Sequence, residues 1–134
     1  MPETQGASSV QTIKSRVLLV EDDMAVRDAT RLLLKVEGYQ VVAVATLEEA
    51  LQRAREAEGI DLLVTDYHLA DGETGVQVIA EVRDTLKIQV KSVLITGDTS
   101  SAIKDLPRDP YFRVASKPIK AEELLTLLRG LLAA

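Results

Sequence analysis

Short apolar runs that each end in a polar or charged residue constrain this chain more than any other feature. Val17-Leu18-Leu19-Val20 runs into Glu21-Asp22-Asp23, Leu62-Leu63-Val64-Thr65 into Asp66, and Val93-Leu94-Ile95 into Thr96-Gly97-Asp98. A shorter stretch, Val114-Ala115-Ser116, delivers Lys117-Pro118. Runs with so little polar alternation suit strands covered on both faces, as in a parallel sheet. A carboxylate should not end such a strand unless something there uses its charge. In a parallel sheet the carboxyl ends meet at one edge, which would gather carboxylates, a hydroxyl and an ammonium.

The segments between the runs have helical signals. After the strand Arg16 to Val20, Asp22 or Asp23 stands at an N-cap, and Val26, Ala29, Leu33 and Val36 follow at helical spacing until Gly38 stops the helix. Gln40 to Val44 reads as a second strand. Thr46-Leu47-Glu48-Glu49 matches a capping box, with Leu47, Ala50, Leu51 and Ala54 as the stripe behind it and a stop near Gly59. Asp61 to Thr65 is the third strand, Asp66 to Thr74 a loop turning at Asp71-Gly72, and Gly75 to Arg83 a helix. Lys91 to Thr96 is the fourth strand. Pro107 and Pro110 limit the next segment, Thr99 to Pro110, to one or two helical turns. Phe112 to Ala115 is the fifth strand, and Ala121 to Leu132 the last helix, with Leu124, Leu127, Leu128 and Leu131 on one face.

Five strands alternating with five helical segments predict an α/β fold of βαβ units, a doubly wound parallel sheet with right-handed crossovers and helices on both faces. Ligands in such sheets bind outside the carboxyl ends of the strands. The chain of 134 residues suits one domain, residues 16–134, behind a polar N-terminal tail, residues 1–15. No cysteine is present, which excludes disulfides and thiol catalysis, and the single histidine, His68, makes a zinc site unlikely by count. A net charge of −5 and 3% aromatic residues argue against a nucleic-acid partner. The absence of a signal-like or membrane-spanning run predicts a cytoplasmic protein with no membrane contact.

Clustered carboxylates repel, and a hard divalent cation with oxygen ligands relieves that repulsion. Mg²⁺ fits best, because it keeps several waters and takes one or two carboxylates directly. Asp22 and Asp66 would be those ligands, with Glu21 beside them and the His68 backbone carbonyl available. Phosphoryl transfer needs positioning and charge neutralisation above all. Lys117 supplies a second positive charge, the Thr96 hydroxyl a donor, and Asp66 the carboxylate that would become an acyl phosphate.

Glu21-Asp22, Asp66, Thr96 and Lys117-Pro118, each at a strand end, resemble the receiver domains of two-component response regulators. The resemblance spans roughly Arg16 to Leu132 and implies a flavodoxin-like sheet of order 2-1-3-4-5. It implies Mg²⁺ on Asp22, Asp66 and the His68 carbonyl, with Glu21 acting through water. It further implies that Asp66 is phosphorylated by a histidine kinase or a histidine phosphotransfer protein, with Thr96 and Lys117 holding the phosphoryl group. The domain would then catalyse only its own phosphorylation and dephosphorylation. Many relatives have a cis Lys-Pro bond here, and an X–Pro bond makes that accessible.

The stretches Asp66-Tyr67-His68-Leu69, Gly72-Glu73-Thr74-Gly75 and Ile95-Thr96-Gly97-Asp98-Thr99 look most like receivers of hybrid sensor kinases. Departures from the family pattern are Ala70 in place of proline, a loop to Gly75 one residue longer, and Val114 at the switch-aromatic position. The short, proline-broken helix after the fourth strand is a further departure. His68 and Asp98 occupy positions that tune dephosphorylation in relatives. Ending soon after the last helix, the chain reads as a switch or relay without its own output domain, with an unidentified downstream protein target. Exposed members of the last helix are candidates for a homodimer face. The alternative is a phosphorylation-independent receiver that binds protein. An aspartyl phosphatase resembling the haloacid dehalogenases is disfavoured, since Glu21-Asp22-Asp23-Met24 lacks the Asp-x-Asp-x-Thr pattern. A nucleotide-binding relative is disfavoured because acids replace a glycine-rich loop after the first strand.

Overall fold

A computed structural model describes residues 15–56, 59–97 and 106–134. The elements run β1 (Arg16–Val20), α1 (Met24–Val36), β2 (Gln40–Val44), α2 (Leu47–Glu56), β3 (Leu62–Asp66) and a 3₁₀ turn (Ala70–Gly72). They continue with α3 (Gly75–Leu86), β4 (Lys91–Thr96), β5 (Phe112–Ser116) and α4 (Ala121–Ala133). All strand pairs are parallel, and the sheet order is β2-β1-β3-β4-β5. This is the predicted doubly wound sheet of order 2-1-3-4-5. The expected N-terminal tail falls almost wholly outside the described residues, as does most of the expected helix after β4.

Alternation along the strands divides the core into two layers. Leu18, Val20, Leu63 and Leu94 pack with Ala50 and Ala54 of α2 and Val78, Ile79 and Val82 of α3. Val17, Leu19, Val64 and Val93 face the other way, against Leu34 of α1 and Leu124, Leu125, Leu128 and Leu131 of α4. In α4, Leu125 takes the buried place expected of Leu127, which sits at the margin.

The helix ends follow local chemistry. Asp23 caps α1, its Oδ1 accepting the Val26 N–H at 3.0 Å, and Gly38 at φ 101° turns the chain after it. Gly38 and Tyr39 donate to the Lys35 and Leu34 carbonyls, a Schellman closure. At α2, Thr46 Oγ1 accepts the Glu49 N–H at 3.1 Å, while Glu49 Oε1 reaches back to the Ala45 N–H at 2.8 Å. The return arm of that capping box therefore closes one residue earlier than the standard pattern.

Two expectations are corrected. β3 is shifted by one residue and includes Asp66, which pairs with Ile95 in register. Asp61 stays outside because its carboxylate accepts the Arg16 N–H at 2.8 Å at the start of β1. In α1, the stripe at helical spacing does not face the sheet. Val36 is 74% exposed and Val26 46%, Ala29 is exposed, and the buried residue is Leu34. The spacing identified the helix, but its inward face is set by what β1 and β2 present.

Candidate functional site

The register brings the strand ends to one edge. Val20 pairs with Val44 and Thr65, Asp66 with Ile95, and Thr96 with Ser116. The ladder extends one residue past β1, β3 and β5: Glu21 N–H donates to Val44, Tyr67 to Ile95 at 2.8 Å, and Lys117 to Thr96 at 2.8 Å. Backbone hydrogen bonds thus hold Glu21, Asp66, Thr96 and Lys117 at fixed heights on rigid strands, which favours precise geometry over loop placement.

Carboxylate oxygens of Glu21, Asp22 and Asp66 lie within 4.8 Å of one another. Glu21 and Asp66 are buried and Asp22 is exposed, so the cluster opens to solvent on one side. Lys117 Nζ stands 2.8 Å from Asp66 Oδ1. Thr96 is buried at the adjoining strand end, and its carbonyl is tied to the Lys117 N–H. Lys117-Pro118 is a cis peptide. His68 follows Asp66 by two residues on an exposed loop and bridges backbone to backbone with Thr74. Its ring meets Tyr67 edge to face at 4.7 Å. Asp98 lies outside the described residues.

Burial pushes the Glu21 carboxyl up to about 7. The Asp23 N–H, bonded to Glu21 Oε2 at 3.1 Å, opposes that rise, and the Asp66 charge reinforces it. For Lys117, burial works against the ammonium, but the hydrogen bond and charge of Asp66, with the Glu21 and Asp22 charges, outweigh it and raise its pKa. Three carboxylates facing one ammonium leave an excess of negative charge. That donor set, hard, all-oxygen and open on one side, fits a divalent cation of the Mg²⁺ type.

Several supporting residues escaped the sequence reading. Arg27 donates to the Glu21 carbonyl at 2.9 Å, fixing the first acidic turn to α1. Thr74 and Gln77 form a reciprocal capping box, at 2.9 and 3.2 Å, that starts α3 beside Asp66. The Thr74-Gly75-Val76-Gln77 spacing carried that signal. Gly75 donates to the Tyr67 carbonyl at 2.7 Å. A Cβ on Gly75 would collide with the Asp66 carbonyl oxygen and meet Leu94 Cδ1 at 2.6 Å, so glycine is what lets α3 begin so close to the acid. Glu73 Oε1 accepts the Leu47 N–H at 3.1 Å, tying the same loop to α2.

Residues 17–129 match the response regulator receiver domain family. The chain belongs to that family. Among relatives of this receiver, it is 32% identical over 118 residues to the sensor kinase CckA of Brucella abortus (strain 2308), covering 87% of this chain and 12% of the kinase. It is 35% identical over 126 residues to the transcriptional regulatory protein TrcR of Mycobacterium tuberculosis, covering 87% of this chain and 45% of that protein. The chain therefore spans less than half the length of either relative.

Among solved structures, the receiver domain of the hybrid histidine kinase CckA superposes with a TM-score of 0.73 at 31% identity, covering 88% of this chain and 99% of that one. A response regulator receiver protein from Sinorhizobium medicae shares the fold, with a TM-score of 0.77 at 24% identity, over 90% of this chain and 96% of that one. Resemblance to receivers of two-component systems, hybrid kinases among them, is thus borne out. Among the described residues, no helix is long and apolar enough to cross a membrane.

Proposed function

We propose that this receiver, residues 16–134, is the phosphoacceptor of a two-component phosphorelay, taking a phosphoryl group on Asp66 from a histidine kinase or histidine phosphotransfer protein. The observation that carries this reading is the 2.8 Å ion pair between Lys117 and a largely buried Asp66, set among the carboxylates of Glu21 and Asp22. A receiver that only binds protein has no need to keep this set together, so that alternative is not favoured.

Asp22, Asp66 and the His68 carbonyl would hold Mg²⁺, with Glu21 acting through water. When bound, the ion supplies charge neutralisation to phosphoryl oxygens. An Asp66 carboxylate oxygen attacks the phosphorus of the donor phosphohistidine. The O–P bond forms as the P–N bond breaks, and the leaving imidazole keeps that electron pair and takes a proton from solvent. Lys117, held protonated by its acidic neighbours, transfers its hydrogen bond from Asp66 to a phosphoryl oxygen. The Thr96 hydroxyl donates to a second oxygen. The reaction is self-directed, in the cytoplasm, and the domain acts on no other substrate.

The test is intact-mass spectrometry of the full chain after treatment with phosphoramidate or acetyl phosphate, with and without Mg²⁺. Phosphoramidate carries the same P–N bond as phosphohistidine. One Mg²⁺-dependent phosphoryl adduct, cleaved by hydroxylamine and absent from Asp66→Asn, is the expected result. An adduct retained in Asp66→Asn would overturn the assignment. No adduct from either donor, with no spectral change on adding beryllofluoride, would favour the protein-binding reading.

A further inference from the structure

The segment between Asp66 and α3 folds back on itself as a closed hairpin. Asp71 and Gly72 turn the chain at φ 61° and 78°, and the Glu73 N–H meets the Ala70 carbonyl at 3.2 Å. Two left-handed residues in succession, Asp then Gly, suit the type I′ turn of a two-residue hairpin. His68 and Thr74 face each other across it. The bonds framing that pair come from its neighbours: Leu69 N–H to the Glu73 carbonyl at 3.0 Å, and Gly75 N–H to the Tyr67 carbonyl at 2.7 Å. A pair of this kind is held in place without its own carbonyls entering the ladder. The loop that departs from the family pattern in length is therefore an ordered arm carrying the His68 backbone.

The arm is also tied to α2. Glu73 Oε1 accepts the Leu47 N–H at 3.1 Å. Leu47 is the first residue of α2, where N–H groups lack a partner inside the helix and the dipole favours a negative charge. Thr46 Oγ1 takes the Glu49 N–H of the same turn, so that helix end has one local acceptor and one brought by the arm. Leu69, next to His68, is buried in the core layer that Leu47 packs against.

We propose that Glu73 is a positioning residue for Mg²⁺: its bond to α2 fixes the arm so that the His68 carbonyl is held for the ion. This rests on the reading of that carbonyl as a Mg²⁺ ligand. Asp66 ends a strand and Asp22 follows one directly, whereas His68 lies on the arm and takes its place from it. Mg²⁺ demands near-octahedral geometry at about 2.0–2.1 Å, so a small displacement of one oxygen lowers affinity. Groups that orient a ligand without touching the metal therefore tune its binding. Glu73 is also an anion, and its charge alone would attract a cation from a distance. The two effects separate cleanly: glutamine removes the charge and keeps an oxygen for Leu47, whereas alanine removes both.

Amide NMR titration of the full chain with MgCl₂, at constant ionic strength, tests this. Glu73→Ala should weaken Mg²⁺ binding about three- to tenfold, at or below the loss from removing a partner bonded directly to a ligand. Glu73→Gln should stay within about twofold of wild type, since its hydrogen bond survives. Thr46→Ala removes the other acceptor at the same helix end and should leave Mg²⁺ affinity unchanged. In wild type, saturating Mg²⁺ should slow hydrogen exchange at the Leu47 amide by about the factor that Glu73→Ala loses in affinity, because coupling is reciprocal. The metal-free amide spectrum of each variant reports its fold, and the exchange measurement needs no variant. Equal affinity in wild type and Glu73→Ala, equal losses in the alanine and glutamine chains, or Leu47 exchange indifferent to Mg²⁺ would each overturn the proposal. So would a loss in Thr46→Ala as large as that in Glu73→Ala. A wild-type chain that binds no Mg²⁺ would instead overturn the ion site itself, and this role of Glu73 with it.

Discussion

Replacing Glu21 by glutamine should stabilise the metal-free protein at and above neutral pH. Folding buries the Glu21 carboxylate beside Asp66, and its pKa moves from 4.5 to about 7. A shift of that size corresponds to about 3 kcal/mol of strain in the ionised folded state, with the ordinary value taken for the unfolded chain. The cluster opens to solvent at Asp22, and screening there brings the expected effect to about 1–3 kcal/mol. The sign follows from proton binding. Between pH 4.5 and about 7 the folded state holds more protons at Glu21 than the unfolded chain, so stability falls as pH rises through that window. Below it Glu21 is neutral in both states and the destabilisation vanishes.

Glutamine keeps an oxygen for the Asp23 N–H that Glu21 Oε2 now accepts at 3.1 Å, so the change removes charge with little change of shape. Urea denaturation in EDTA, at intervals from pH 5 to pH 8, is the assay. The variant and wild type should agree near pH 5 and separate progressively up to pH 8. In thermal melts the difference at pH 8 amounts to roughly 3–5 °C per kcal/mol. Parallel stability curves for the two proteins would refute the reasoning, because they would mean Glu21 ionises equally easily in both states.

Three further outcomes follow from the packing. Gly75→Ala should cost about 1–3 kcal/mol in denaturation, since its Cβ would collide with the Asp66 carbonyl oxygen, fixed in the backbone, and crowd the buried Leu94 side chain. Lys87 ends α3 at φ 60°, where only glycine avoids a penalty, so Lys87→Gly should raise stability by about 0.5–1 kcal/mol; its ion pair with Asp84 is exposed and contributes little. Arg83 binds Asp109 at 2.7 and 3.3 Å and the Val90 and Tyr111 carbonyls besides, so Asp109→Ala should lower stability by about 2–4 kcal/mol. The Arg83 hydrogen bond holds the Asp109 carboxyl below its ordinary value. That contribution is present above the ordinary pKa and lost as pH falls through the folded one, so the Asp109→Ala deficit should shrink in acid titrations.

The site was legible because its chemistry is written at strand ends, where a charge after an apolar run is anomalous on its own terms. Parallel pairing then required those ends to coincide, so Glu21, Asp22, Asp66, Thr96 and Lys117 could be placed together without knowing a single contact. What remained hidden depends on relations that no local pattern carries. The Arg83–Asp109 pair joins residues 26 apart in the chain, and nothing near either one names its partner. The need for glycine at position 75 arises from the approach of α3 to the Asp66 carbonyl, a distance fixed only when sheet and helix pack. The stripe on α1 misled for a related reason. Periodicity reports that one face of a helix is apolar, but a helix with Leu34 turned inward can carry a second apolar face that the core does not use. Val114 belongs to the same class of question. Its place in β5 opposite Leu94 is settled by the strand register, which no local pattern around Val114 carries.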